Sequence, residues 1–139
     1  MTRPPTIGHV MTSLPQAIDA DAPVLEARKL MLRQRIRHLP VVRAGNLVGL
    51  ISDRDIKLML GPEFDYPNPR EVTVSEVMVE QPYTVDVDTP LAEVLRHMAD
   101  VHIGTTVATR GGRLAGIFTA MDACRYLADR LEAAEGGGA

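Results

Sequence analysis

Apolar residues in this chain recur in two rhythms, and each rhythm occurs twice. Leu30 and Met31 with Gln34, and later Val94, Leu95, Met98 and Val101, return near helical spacing. Asp21-Ala22-Pro23 and Asp88-Thr89-Pro90 stand before them and predict helix starts, because Asp and Thr can cap and proline suits a first turn. Short extended runs follow, His38-Leu-Pro-Val-Val and Thr105-Thr-Val-Ala-Thr. Ala44-Gly45-Asn46 and Gly111-Gly112-Arg113 predict turns, since glycine takes a positive φ without a Cβ clash. Leu47-Val-Gly-Leu-Ile and Leu114-Ala-Gly-Ile-Phe then return as second strands. A closing helix is expected from Ser52 and from Thr119, with Asp53, Asp55 and Asp122 in a first turn where the helix dipole favours negative charge. Each half therefore reads βαββα.

The two halves align without a gap at an offset of 67 residues, and fifteen of 51 compared positions are identical. The identities fall on turn and core positions, among them Gly45/Gly112, Gly49/Gly116, Met31/Met98 and Asp55/Asp122. The chain is a tandem duplication. Repeat 1 is assigned to residues 7–60, a linker to 61–71, repeat 2 to 72–131 and a flexible tail to 132–139. Three prolines between Gly61 and Arg70 make the linker stiff and non-helical. A copy of roughly 50–60 residues holds a marginal core. The copies are therefore expected to pack sheet to sheet with pseudo-two-fold symmetry, leaving two equivalent clefts. The fold class expected is α+β.

Composition narrows the function classes. The formal charge is −3 and 45% of residues are hydrophobic, which suits a folded core and not a nucleic-acid-binding surface. There is no apolar run long enough to span a membrane, and Met1-Thr-Arg-Pro-Pro lacks the apolar stretch of a secretory signal. Cys124 is the one cysteine and is expected as a small buried residue, so no disulfide forms and the cytoplasm is the expected compartment. The methionines read as core filler. His9, His97 and His102 lack metal-ligand spacing, and a surface or helix-end role is expected for each. No hydrolase triad, HExxH or P-loop is present, so the chain reads as a binding module with no cofactor, and not as an enzyme.

The motifs carry a resemblance. Val10-Met-Thr with Pro15, Ile36-Arg-His-Leu-Pro-Val-Val and Gly49-Leu-Ile-Ser-Asp-Arg-Asp-Ile form an ordered set. Val77-Met with Pro82, Ile103-Gly-Thr-Thr-Val and Gly116-Ile-Phe-Thr-Ala-Met-Asp repeat it. The set resembles paired CBS domains, the regulatory Bateman module, over residues 7–131. Repeat 2 departs from the pattern where Leu-Pro becomes Thr106-Val107. The resemblance implies adenosyl ligands, namely AMP, ADP, ATP or S-adenosylmethionine, and a homodimer that could act on an unidentified target protein. Ser52 and Asp55, like Thr119 and Asp122, are three apart at a helix start and share one face. The carboxylate could grip a ribose diol, and the hydroxyl with nearby N–H groups a phosphate. Gly49 and Gly116 would let a ligand or a neighbouring strand approach.

By the same analogy one cleft would join Ser52, Arg54 and Asp55 to Tyr83, Ile103, Gly104 and Thr105. The other would join Thr119, Asp122 and Ile117 to Gln16, Ile36, Arg37 and His38, with the isoleucines 36 and 103 sandwiching adenine. Arg28, Lys29, Arg33, Arg35, Arg37 and His38 crowd one stretch of repeat 1. The cleft near Arg37 and His38 is thus expected to favour ADP or ATP, and the other an AMP-like ligand. A ligand-free structural or interaction module is the alternative, with Asp55 and Asp122 serving only as first-turn helix charges.

Overall fold

The computed structural model describes residues 3–13 and 16–137, and within them the 67-residue offset holds element by element. In chain order the elements are α1 (Ile7–Val10), β1 (Thr12–Ser13), β2 (Ile18–Asp19), α2 (Val24–Gln34), β3 (His38–Arg43), β4 (Asn46–Ser52) and α3 (Asp53–Leu60). The second round is α4 (Val74–Val77), β5 (Val79–Glu80), β6 (Thr84–Asp86), α5 (Leu91–Val101), β7 (Thr105–Arg110), β8 (Arg113–Thr119) and α6 (Ala120–Gly137). Each βαββα pattern is thus preceded by a short helix and strand. Residues 132–137, read from the sequence as a tail, continue α6.

These elements form two compact units whose boundaries differ from those of the sequence repeats. A central unit takes residues 16–82, and a C-terminal unit takes residues 3–13 with 83–137. In the central unit the sheet order is β2-β3-β4-β5, with β2 parallel to β3 and the remaining pairs antiparallel. In the C-terminal unit the order is β1-β8-β7-β6, with β6 parallel to β7. The opening segment of repeat 1 therefore supplies the edge strand β1 beside β8, and the opening segment of repeat 2 supplies β5 beside β4.

Each sheet packs on its own helices. Val24, Ala27, Met31, Leu39, Val41, Ile51, Ile56 and Leu60 build the central core. Ile7, Leu91, Val94, Met98, Ala108 and Phe118 build the C-terminal one. The helix starts correct the expected caps: Pro23 and Pro90 are themselves the N-cap residues and make no side-chain cap bond. Asp21 and Asp88 instead sit in tight turns, their N–H groups donating to Asp19 Oδ1 at 2.8 Å and Asp86 Oδ2 at 2.9 Å. Proline lacks a donor and its side chain has no acceptor, so it can start the helix but cannot cap it.

Both helices end on a left-handed residue, Arg35 (φ 56) and His102 (φ 57). The next N–H groups, of Ile36 and Ile103, donate back to Met31 O and Met98 O. This C-cap satisfies the last carbonyls and turns the chain directly into β3 or β7. The linker packs as well: Leu25 N–H donates to Pro69 O, and the Arg28 guanidinium lies 3.7 Å from the Phe64 ring centroid.

Candidate functional half-sites

Each unit assembles one half-site where the end of its second long strand meets the start of its closing helix. In the central unit Ser52 is the N-cap of α3. Its N–H donates to Asp55 Oδ2 and the Asp55 N–H donates to Ser52 Oγ, both at 3.0 Å. This reciprocal box satisfies two donors that a helix start would otherwise leave open. The Asp53 N–H donates to Arg37 O at 2.9 Å, and His38 lies opposite Ser52 in the β3–β4 register. Ile36, Arg37 and His38 are thereby fixed beside Ser52, Arg54 and Asp55. The His38 imidazole is held below its ordinary pKa chiefly by burial, with Asp55 opposing that shift and Arg37 adding to it.

The C-terminal unit repeats the geometry with different side chains. The Thr119 N–H donates to Asp122 Oδ2 at 2.9 Å, and the Asp122 N–H to Thr119 Oγ1 at 3.2 Å. The Thr119 hydroxyl also donates to Asp122 Oδ2 at 3.1 Å. Ala120 N–H donates to Gly104 O at 2.9 Å, and Thr105 lies opposite Thr119. Asp122 Oδ1 meets Arg125 Nη1 at 3.4 Å, whereas Asp55 Oδ1 has no hydrogen bond or ion pair among the described residues. The arginine is missing from the sequence reading, although its i,i+3 spacing from Asp122 is a legible signal.

Strand register adds neighbours within each unit to the cleft groupings that the resemblance implies. Antiparallel pairing of β3 with β4 puts residue 38 beside residue 52, and pairing of β7 with β8 puts 105 beside 119. Each strand entry therefore accompanies the aspartate of its own repeat. Gln16 is exposed just ahead of β2 in the central unit. Ile117 is buried on β8 between Thr12 and Val107, while Ile36 and Ile103 pack against their own cores. The Tyr83 ring stacks on His97 with centroids 3.9 Å apart, and burial followed by Glu93 raises its pKa.

Gly49 and Gly116 let a neighbouring strand approach, β5 with Met78 at the first and β1 with Met11 at the second. Two other expectations change. Among the described methionines, Met31 and Met98 are buried, Met11 and Met78 pack partly buried against the cores, and Met59 and Met121 are exposed. Cys124 is exposed on α6, because the face of that helix carrying it points away from the core. Among the described residues no cluster of three or more candidate ligands could hold a metal ion, and no helix is long and apolar enough to cross a membrane.

Two α+β units with equivalent strand–helix half-sites, derived from one duplicated sequence, define a tandem-repeat module. The CBS domain family model matches residues 7–61 and 74–129, and the chain belongs to that family. It is 32% identical over 124 residues to a CBS domain-containing protein of Dictyostelium discoideum, covering 83% of this chain and 86% of that one. It is 29% identical to the L-aspartate semialdehyde sulfurtransferase of Methanocaldococcus jannaschii over 86% of this chain, but spans only 22% of that protein. Among solved structures, the CBS domain pair of protein MJ0100, in complex with 5′-methylthioadenosine and S-adenosyl-L-methionine, superposes with a TM-score of 0.80. Identity to it is 25%, over 92% of this chain and 99% of that one.

Proposed function

We propose that this chain is a regulatory module, not an enzyme, that binds adenosyl ligands such as AMP, ADP, ATP or S-adenosylmethionine at its two half-sites. The observation that carries the reading is the duplicated Ser/Thr-x-x-Asp box, held twice at the same strand–helix junction with a strand entry beside it. In the central unit one carboxylate oxygen closes the box and the other is open to a ribose diol. The ligands bound by the MJ0100 pair support the same chemical class. Arg37 and His38 bring positive charge that suits the phosphate tail of ADP or ATP to the cleft they line. The compartment this reading implies is the cytoplasm, and the output is a change in shape relayed to a target protein. A ligand can bias only those conformations for which its affinity differs.

The same reading includes a homodimer formed through α6. Met121, Leu127 and Leu131 are exposed there, and Arg125 and Glu132 flank them seven residues apart. In an antiparallel pair of α6 helices each Arg125 would face the other copy's Glu132. Sedimentation should give a dimer for the chain and a monomer for Leu131→Glu.

The alternative, a module without ligand, is favoured by one observation: both aspartates already serve as helix caps. Thermal unfolding with AMP, ATP, S-adenosylmethionine and 5′-methylthioadenosine separates the two. A ligand at a hundred times its Kd adds about 2.7 kcal/mol of apparent stability, so a flat response to all four at millimolar concentration would leave only the structural reading.

A further inference from the structure

Helices α2 and α5 hold the same place in the two repeats but differ on the side turned away from the core. Both run for 11 residues, start at a proline N-cap and end on a left-handed residue. Val24, Ala27 and Met31 bury the inner face of α2 in the central core, as Leu91, Val94 and Met98 do for α5 in its own. On the outer side Lys29, Leu32 and Arg33 are exposed, and their i, i+3 and i+4 spacing puts them on one face. Arg35, the C-cap residue, is exposed at the helix end. The matching positions of repeat 2 hold Arg96, Ala99, Asp100 and His102.

The fold does not require this cationic face. Cations near a helix C-terminus complement its dipole, yet α5 has no basic residue in its last turn, carries Asp100 there, and still forms the same helix with the same left-handed cap. Nor are the charges used within the chain. The ion pairs among the described residues are Arg43–Asp21, Lys57–Asp53 and Arg125–Asp122. Lys29, Arg33 and Arg35 thus have no acidic partner among the described residues, in a chain whose formal charge is −3. Glu26, the one acid of α2, lies in its first turn. Between the charges, Leu32 is 66% exposed.

We propose that this face of α2 is the docking surface for a target protein, and that the target presents an acidic helical segment with an apolar side chain among its carboxylates. Charge complementarity sets the sign of the partner: carboxylates opposite Lys29, Arg33 and Arg35 speed encounter, and cationic surfaces are turned away. Leu32 sets its kind. A partner side chain laid over Leu32 removes apolar surface from water, a gain that a phosphate backbone does not offer. A bilayer needs a broader apolar face than one leucine to hold a helix in its interface. Repeat 2 lacks both the leucine and the run of cations, so the surface belongs to repeat 1 alone. This target is the one the regulatory-module reading calls for, and docking rests on that part of the reading and on none of its ligands.

Fluorescence anisotropy of a labelled synthetic helix of about 18 residues, with Glu and Leu on one face, tests this. Salt is kept at about 0.15 M, where exposed charges beyond about 8 Å are screened. The intact chain should bind the peptide, and should bind the same peptide with Gln for every Glu at least about tenfold more weakly. Lys29→Gln/Arg33→Gln and Leu32→Ser should each weaken binding about fivefold or more. Arg96→Gln on α5 should not, and all three variants should melt with the parent chain because these side chains are exposed. No binding by the parent chain would overturn the proposal, as would full affinity in Leu32→Ser, which leaves only a general attraction between charges. A lower melting temperature in either α2 variant would assign these residues to the fold and overturn it too. So would tighter binding of phosphatidylglycerol vesicles or of duplex DNA than of the acidic peptide. ATP titration of the same chain separates the two readings: a chain that binds the peptide but no ATP keeps its docking face and loses the ligand, and one that binds ATP alone loses the docking face.

Discussion

Met78 lies over Gly49 so closely that a Cβ on that glycine would come 2.5 Å from Met78 Sδ and 2.9 Å from the Val79 carbonyl oxygen. Met11 covers Gly116 in the same way, with the Thr12 carbonyl oxygen 2.8 Å from the position of a Cβ there. The valine–methionine dipeptide and the strand glycine recur in both repeats because β5 and β1 run directly beside those glycines. Gly49→Ala should therefore destabilise the chain by about 1–3 kcal/mol, the usual range for overpacking. Adding Met78→Ala should recover only part of the loss, because the carbonyl oxygen cannot move without breaking strand pairing. Urea unfolding of the two single variants and the double variant measures this, and parent-like stability of Gly49→Ala would contradict it.

The reciprocal caps predict a difference between two substitutions at one residue. Asp55→Ala removes the acceptor for the Ser52 N–H and should cost about 0.5–2 kcal/mol, as loss of a capping side chain does. Asp55→Asn keeps an acceptor oxygen and should unfold close to the parent chain. Equal losses for both substitutions, read from urea midpoints, would mean that charge and not capping governs this helix start.

Thr106 tests the cost of a buried orphan group. Its hydroxyl is fully buried and has no hydrogen-bond partner among the described residues, opposite Phe118 on the face packed against the helices. Thr106→Val keeps the shape, removes the unsatisfied group and should stabilise the chain by about 1 kcal/mol. A lower thermal midpoint would show that the hydroxyl does have a partner in solution.

His38 sets an acid limb on stability. Burial holds its folded-state pKa below the ordinary value of 6.5, so the neutral ring is the form that folds best. As the pH falls through that value, the unfolded chain takes up the proton before the folded one. Stability should thus be full above about pH 7 and fall towards acid, levelling off once the folded ring also protonates. Comparing urea midpoints across this range with those of His38→Gln should show that this part of the acid loss disappears. An identical pH profile in both chains would contradict the assignment.

Most of the fold is legible in the sequence, because duplication lets each repeat check the other. The turns at Gly45 and Gly112, the paired strands and the helix starts at Ser52 and Thr119 all lie where spacing and turn chemistry predict. The exchange of β1 and β5 between the repeats is not legible, since a two-residue strand has no periodicity and its partner is not marked in the sequence. The identities of the site residues can be read from motifs, but their neighbours within a unit cannot. Which strand entry accompanies which aspartate depends on register, and His38 beside Ser52 is visible only once β3 and β4 are paired. The exposure of Cys124 is not legible either, because a lone cysteine carries no information about which face of a long helix is exposed.

The central claim is that each strand–helix box is part of an adenosyl site. Calorimetric titration of ATP into the parent chain, Asp55→Asn and Asp122→Asn tests it most directly. The account predicts two binding events in the parent chain and, in each variant, the loss or at least tenfold weakening of one of them. Two undiminished binding events in both variants would contradict it, as would the absence of any heat from the parent chain at millimolar ATP.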